Sequence, residues 1–122
     1  GHERVLLVDD EPSLLKVASR WLVELGYDVT AVASPAEALL LLGQDSFDVL
    51  VSDVLMPGQM DGVDLASAAE RLHPGMTILL ISGYPEGLVE KIQGRWRLLD
   101  KPFSRDQIGQ MIRATLAGRP AR

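Results

Sequence analysis

The chain has 122 residues, a hydrophobic fraction of 47%, a net charge of −5 and no cysteine. That length suits a single domain, and the missing thiols exclude disulfides, thiolate metal sites and cysteine nucleophiles. Lys and Arg are scattered rather than gathered on a basic face, so nucleic-acid binding by this domain is not expected, and no run approaches the ~20 apolar residues that span a bilayer.

Gly1-His2 reads as an expression remnant. Val5-Leu6-Leu7-Val8 then predicts a first strand, which ends in Asp9-Asp10-Glu11. Leu14, Val17, Ala18, Trp21, Leu22 and Leu25 recur at helical spacing, with Pro12 near the start and Gly26 at the end. Asp28 to Val32 is more mixed and predicts an edge strand. Ser34-Pro35-Ala36-Glu37 carries a capping-box signature and opens a helix to about Gly43. Val49-Leu50-Val51 begins a strand that stops at Asp53. Leu65, Ala68, Ala69 and Leu72 mark a third helix, with His73 as its C-terminal cap before Pro74-Gly75. Ile78 to Ile81 is a strand ending in Ser82-Gly83. A short, weakly patterned helical segment follows at 86–92, with Leu88, Val89 and Ile92 as its apolar positions. Leu98-Leu99 is the last strand, followed by Asp100-Lys101-Pro102. Ser104-Arg105-Asp106-Gln107 caps a final helix with Ile108, Met111, Ile112 and Leu116 on one face. The expected domain core is 4–117, with a tail at 118–122.

The strands lack polar alternation, as expected when helices cover both faces of a parallel sheet. Five strand–helix alternations imply an α/β domain with right-handed crossovers. In such sheets ligands bind at the carboxyl ends of the strands. Those ends would collect Asp9, Asp10, Asp53, Ser82 and Lys101 on one rim. Singly, each has an ordinary reading: acids complement a helix N-terminus, Asp53 caps a loop, Ser82 turns a chain, Lys101 is a solvated cation. Together, the acids repel one another unless a cation sits among them. Mg²⁺ prefers oxygen ligands and suits such a rim. A metal, an ammonium and a hydroxyl around a free carboxylate suit phosphoryl transfer to that carboxylate.

Other chemistries fit less well. No G-x-x-x-x-G-K is present for nucleotide phosphates. A flavodoxin-like cofactor binder offers hydroxyls and amides after the first strand, where this chain has acids. A haloacid-dehalogenase-like hydrolase places a second acid two residues beyond its nucleophile, where this chain has Leu55.

LLVDDEP, DVLVSDVLMPG, MDGVDL, ILLISGY and DKPF, in that order and spacing from Val5 to about Leu116, resemble the receiver domains of two-component signalling. The resemblance implies a flavodoxin-like strand order 2-1-3-4-5. It implies that Asp53 takes a phosphoryl group from the phosphohistidine of a histidine kinase or histidine phosphotransfer protein, in the cytoplasm. It further implies that Asp10 and Asp53 bind Mg²⁺ directly, Asp9 mainly through water, and the Leu55 backbone carbonyl as a further ligand. Ser82 and Lys101 would contact phosphoryl oxygens, with Lys101-Pro102 as a cis bond. The output would go to a downstream protein or attached domain, with no nucleic-acid or membrane contact by this domain itself. A pseudo-receiver that only docks partners is the alternative.

Three features depart from the family's common pattern. Leu98 replaces the usual aromatic switch residue, with Trp96 two positions earlier, so loop and helix shifts would carry the output. The loop from Met56 to Gly62 is one residue longer than usual, which, with Ile81-Ser82-Gly83-Tyr84, is similar to receivers of hybrid histidine kinases. Leu55 and Tyr84 flank the path of attacking water with bulk and no base, which implies slow self-dephosphorylation.

Overall fold

All five expected strands form. The computed structural model describes residues 2–56, 60–83, 92 and 94–118. The chain runs β1 (Arg4–Val8), α1 (Pro12–Glu24), β2 (Asp28–Val32), α2 (Pro35–Gln44), β3 (Val49–Asp53), α3 (Gly62–Leu72), β4 (Thr77–Ser82), β5 (Arg97–Asp100) and α4 (Arg105–Ala117). The helix expected at 86–92, with Leu88 and Val89, lies outside the described residues, apart from Ile92, which is buried.

The sheet is parallel throughout, in the order β2-β1-β3-β4-β5. β2 is the edge strand its mixed sequence predicts, whereas every residue of β3 and β4 is buried. Strand side chains alternate faces, and the alternation divides the core in two. Leu6, Val8, Leu50 and Leu80 pack against Ala38 and Leu42 of α2 and Leu65 and Ala69 of α3. Val5, Leu7, Val51 and Leu79 pack against Ala18 and Leu22 of α1 and Ile108 and Ile112 of α4. Burial on both faces is why these strands read as continuous apolar runs. No helix among the described residues is long and apolar enough to cross a membrane.

The helix ends follow their local chemistry. The Gln107 amide donates to Ser104 Oγ at 3.1 Å and the Ser104 amide to Gln107 Oε1 at 2.8 Å, a complete capping box. α2 has the Ser34 half, with the Glu37 amide donating to Ser34 Oγ at 3.2 Å. His73 caps α3, and its ring Nε2 lies 2.7 Å from the Leu42 carbonyl oxygen, tying α3 to α2.

Two apolar assignments shift. Leu72 is 50% exposed, because the buried stripe of α3 runs through Leu65, Ala66 and Ala69 and has turned away by the last residue. On α1, Leu15 packs on the core with Ala18 and Leu22, while Leu14 turns toward Lys101, Pro102 and Phe103. Trp21 stays with the core and meets Phe103 edge-on, the ring centroids 6.3 Å apart.

Candidate functional site

Parallel register sets the rim. Val8 pairs with Ser52, so the residues that follow, Asp9 and Asp53, emerge side by side where the strand order reverses between β1 and β3. Asp53 pairs with Ile81, and Ser82 with Asp100, which brings the ends of β4 and β5 to the same edge. Backbone bonds carry the ladder slightly further. The Asp9 amide donates to the Val32 carbonyl at 3.2 Å, Val54 to Ile81 at 2.9 Å and Lys101 to Ser82 at 2.9 Å. Lys101-Pro102 is cis, as the resemblance implied.

Asp9, Asp53 and Ser82 are almost wholly buried at the floor of this edge. Lys101 Nζ reaches among the acids, 3.2 Å from Asp53 Oδ2, 3.2 Å from Glu11 Oε1 and 3.5 Å from Asp9 Oδ2. One carboxylate oxygen from each of Asp9, Asp10 and Asp53 lies within 4.8 Å of the other two. Asp9 Oδ1 accepts the Glu11 amide at 2.8 Å, while buried Oδ2 has no hydrogen-bond partner. Above them opens a cavity of about 390 Å³ lined by Asp10, Glu11, Asp53, Leu55, Gly83 and Lys101.

Electrostatics follow from that packing. Burial pushes the Asp9 carboxyl above its ordinary range, and the Glu11 amide and Lys101 only partly offset this. Asp53 is also raised, by burial first and then by the charge of Asp9, with Lys101 opposing. Burial favours the neutral amine of Lys101, but Asp53, Asp9 and Glu11 together outweigh it and raise its pKa. One ammonium among Asp9, Glu11 and Asp53, with Asp10 beside them, leaves formal negative charge in excess at the rim.

The backbone around Asp53 is tightly held. Ser52 Oγ donates to the Asp53 carbonyl at 2.9 Å, and the Gly62 amide donates to the Val54 carbonyl at 2.8 Å. The first turn of α3 rests directly on the end of β3. A Cβ on Gly62 would lie 2.8 Å from Val54 Cα and 2.9 Å from the Asp53 carbonyl carbon.

All five rim residues expected from the strand ends lie together, and Leu55 lines the cavity over them. Tyr84 and 57–59 lie outside the described residues. Sequence reasoning passed over Glu11 and Gly62. Glu11 read as one more acid before a helix, and Gly62 as part of a motif, because neither cross-chain partner is visible in a linear chain. Trp96 packs in the core with Leu98 beside it, its ring under the Arg95 guanidinium at 4.2 Å.

The sequence model of the response regulator receiver domain matches residues 5–113. The chain belongs to that family. Among relatives, this receiver domain is 34% identical over 111 residues to the transcriptional regulatory protein GlrR of Escherichia coli, covering 88% of this chain and 25% of that protein. It is 34% identical over 121 residues to the sensor kinase CckA of Brucella abortus, covering 95% of this chain and 13% of that protein. The receiver thus spans a quarter or less of these two relatives. It matches nearly all (98%) of the response regulator receiver protein CpdR of Brucella abortus, at 29% identity over 94% of this chain. A response regulator receiver protein from Sinorhizobium medicae superposes with a TM-score of 0.89 at 30% identity, covering 98% of both chains.

Proposed function

We propose that this receiver takes a phosphoryl group from a partner's phosphohistidine onto Asp53 in a Mg²⁺-dependent reaction and changes conformation to signal. The observation that carries the reading is the Lys101 ammonium 3.2 Å from Asp53 Oδ2, on a rim where Asp9, Asp10 and Asp53 converge. The partner would be a histidine kinase or histidine phosphotransfer protein in the cytoplasm. Kinship to much longer regulators and a sensor kinase supports an attached or downstream output module.

The residues present fit a divalent cation. Oxygen donors from three acids face one another, and buried Asp9 Oδ2 accepts no hydrogen bond, its contact with Lys101 Nζ being a longer ionic one at 3.5 Å. Asp10 and Asp53 would hold Mg²⁺ directly, Asp9 mainly through water, and the Leu55 carbonyl would be a further ligand. When bound, the ion supplies positive charge that offsets the acids and the incoming phosphoryl oxygens.

The chain's own groups do the rest. An Asp53 carboxylate oxygen attacks phosphorus, the phosphorus–nitrogen bond of the phosphohistidine breaks, and the imidazole leaves with the bonding pair. Lys101 and the Ser82 hydroxyl then bind phosphoryl oxygens, stabilising charge as the new acyl phosphate forms. The product carries roughly one to two additional negative charges, by analogy with phosphorylated hydroxyls. Ser82 and Lys101 draw inward, and a partner that prefers this arrangement shifts the population toward it. The domain catalyses only its own phosphorylation and slow dephosphorylation.

Intact mass after incubation with acetyl phosphate tests this, with and without Mg²⁺, on wild type and Asp53→Asn. The expected result is one added phosphoryl group requiring both the ion and Asp53. Labelling that persists in Asp53→Asn overturns the assignment. No labelling, together with no Mg²⁺ response in a fluorescence titration, identifies a docking-only pseudo-receiver.

A further inference from the structure

Glu11 stands at the N-cap of α1 with extended backbone (φ −87°, ψ 110°), yet its side chain makes no capping hydrogen bond. That position favours Ser, Thr, Asp or Asn, whose short side chains reach back to the helix amides. Ser34, Asp61 and Ser104 do this at the other three described helices. At α1, Pro12 occupies the first turn without an amide to satisfy, and Asp9 Oδ1 takes the Glu11 amide. The Glu11 carboxylate is thereby free of the helix and turns to Lys101.

The Lys101 ammonium is shared. Glu11 Oε1 and Asp53 Oδ2 both lie 3.2 Å from Nζ, with Asp9 Oδ2 at 3.5 Å. The ammonium thus donates to Glu11 and Asp53, with Asp9 as a longer ionic contact. The three partners differ in freedom. The side chains of Asp9 and Asp53 are 3% and 6% exposed and held by packing, whereas that of Glu11 is 62% exposed. Only Glu11 can release the amine and be solvated at once.

We propose that Glu11 is a positioning residue for Lys101, sharing the ammonium with Asp53 in the resting state and releasing it when phosphoryl oxygens arrive. This rests on the reading of Asp53 as phosphoacceptor and deepens it. The Glu11–Lys101 contact stabilises the resting arrangement and is given up on the way to the acyl phosphate. It is therefore a brake on phosphorylation, and removing it lowers the barrier.

The test compares wild type, Glu11→Gln and Glu11→Asp, measuring initial labelling rate against acetyl phosphate concentration with Mg²⁺ present. Glu11→Gln is expected to raise the maximal rate about two- to fivefold, the range for an exposed ion pair, with little change in half-saturating donor concentration. Glu11→Asp keeps the charge but is one methylene shorter, and it should follow Gln. If Gln changes only the half-saturating concentration, or Asp behaves as wild type, the residue acts merely as charge at the cavity mouth and the proposal falls. The ¹⁵N NMR signal of the Lys101 ammonium, recorded without donor, is the second readout and should move in Glu11→Gln. Should wild type take no phosphoryl group, the phosphoacceptor reading fails, and this signal alone decides the positioning claim. A shift then supports it, and an unmoved signal overturns it.

Discussion

Gly62 offers a sharp test of how the site is built. Replacing it with alanine puts a methyl group 2.8 Å from Val54 Cα and 2.9 Å from the Asp53 carbonyl carbon. Both are backbone atoms of the segment leaving β3, so no flexible side-chain tip can move aside. Overpacking typically costs ~1–3 kcal/mol, and a backbone collision belongs at the upper end. Alanine recovers at most ~1 kcal/mol through helix propensity, less at a first-turn position. The net expectation is a loss of about 2 kcal/mol, or a melting temperature lower by roughly 8 °C for a domain this size. Because the clash falls on Asp53's own carbonyl, the labelling rate should fall as well. Gly43 near the end of α2 is the matched control, since a Cβ there meets nothing within 4 Å. Gly43→Ala should gain about 0.5–1 kcal/mol. Urea unfolding followed by circular dichroism measures both. A Gly62→Ala protein within half a kcal/mol of wild type, by the ~10–15% precision of extrapolation, would refute the reasoning.

Three further outcomes are expected. Asp9 and Asp53 are raised by burial in the fold, so the folded state binds their protons more tightly than the unfolded state. The resulting stability is present at low pH and lost as pH climbs through the raised values. Asp9→Asn should therefore raise the melting temperature of the Mg²⁺-free protein at pH 7 while leaving it little changed near pH 4, and should reduce the stabilisation that added Mg²⁺ gives wild type. Leu55 is 57% exposed at the cavity mouth; wild type should hold its phosphoryl group for longer than minutes after donor removal, and Leu55→Asn should shorten that time severalfold as followed by intact mass. Buried Thr77 Oγ1 lacks a hydrogen-bond partner, so Thr77→Val should be neutral or stabilising by up to ~1 kcal/mol in urea unfolding, since an unpaired hydroxyl is removed.

Much of the architecture was legible because parallel strands buried on both faces leave uninterrupted apolar runs, and these end at Asp9, Asp53, Ser82 and Lys101. The edge position of β2 was legible for the complementary reason: its residues are only partly covered. Helix faces were less certain. A stripe containing both Leu14 and Leu15 does not say which one turns inward, and only the packing of α1 against α4 decides for Leu15. Leu72 looked like a core position because periodicity continues past the point where the core stops. At the site, residue types announced themselves, but pairings did not. The Glu11–Lys101 contact joins residues 90 apart in sequence. The crowding at Gly62 depends on how closely α3 sits over β3, which no local pattern encodes.

The strand order has a temporal consequence. β1 is an interior strand of the sheet but first in the chain, and its central neighbour β3 arrives only with residues 49–53. During synthesis, where N-terminal segments emerge first, Asp9 and Asp53 can therefore meet while Lys101 is still unmade. The acidic residues at the ends of β1 and β3 are thus synthesised before their internal counterion, Lys101, which comes only after β5. The last strand thus does more than close the sheet: the lysine that follows it brings the first positive charge into a cleft that stays acidic.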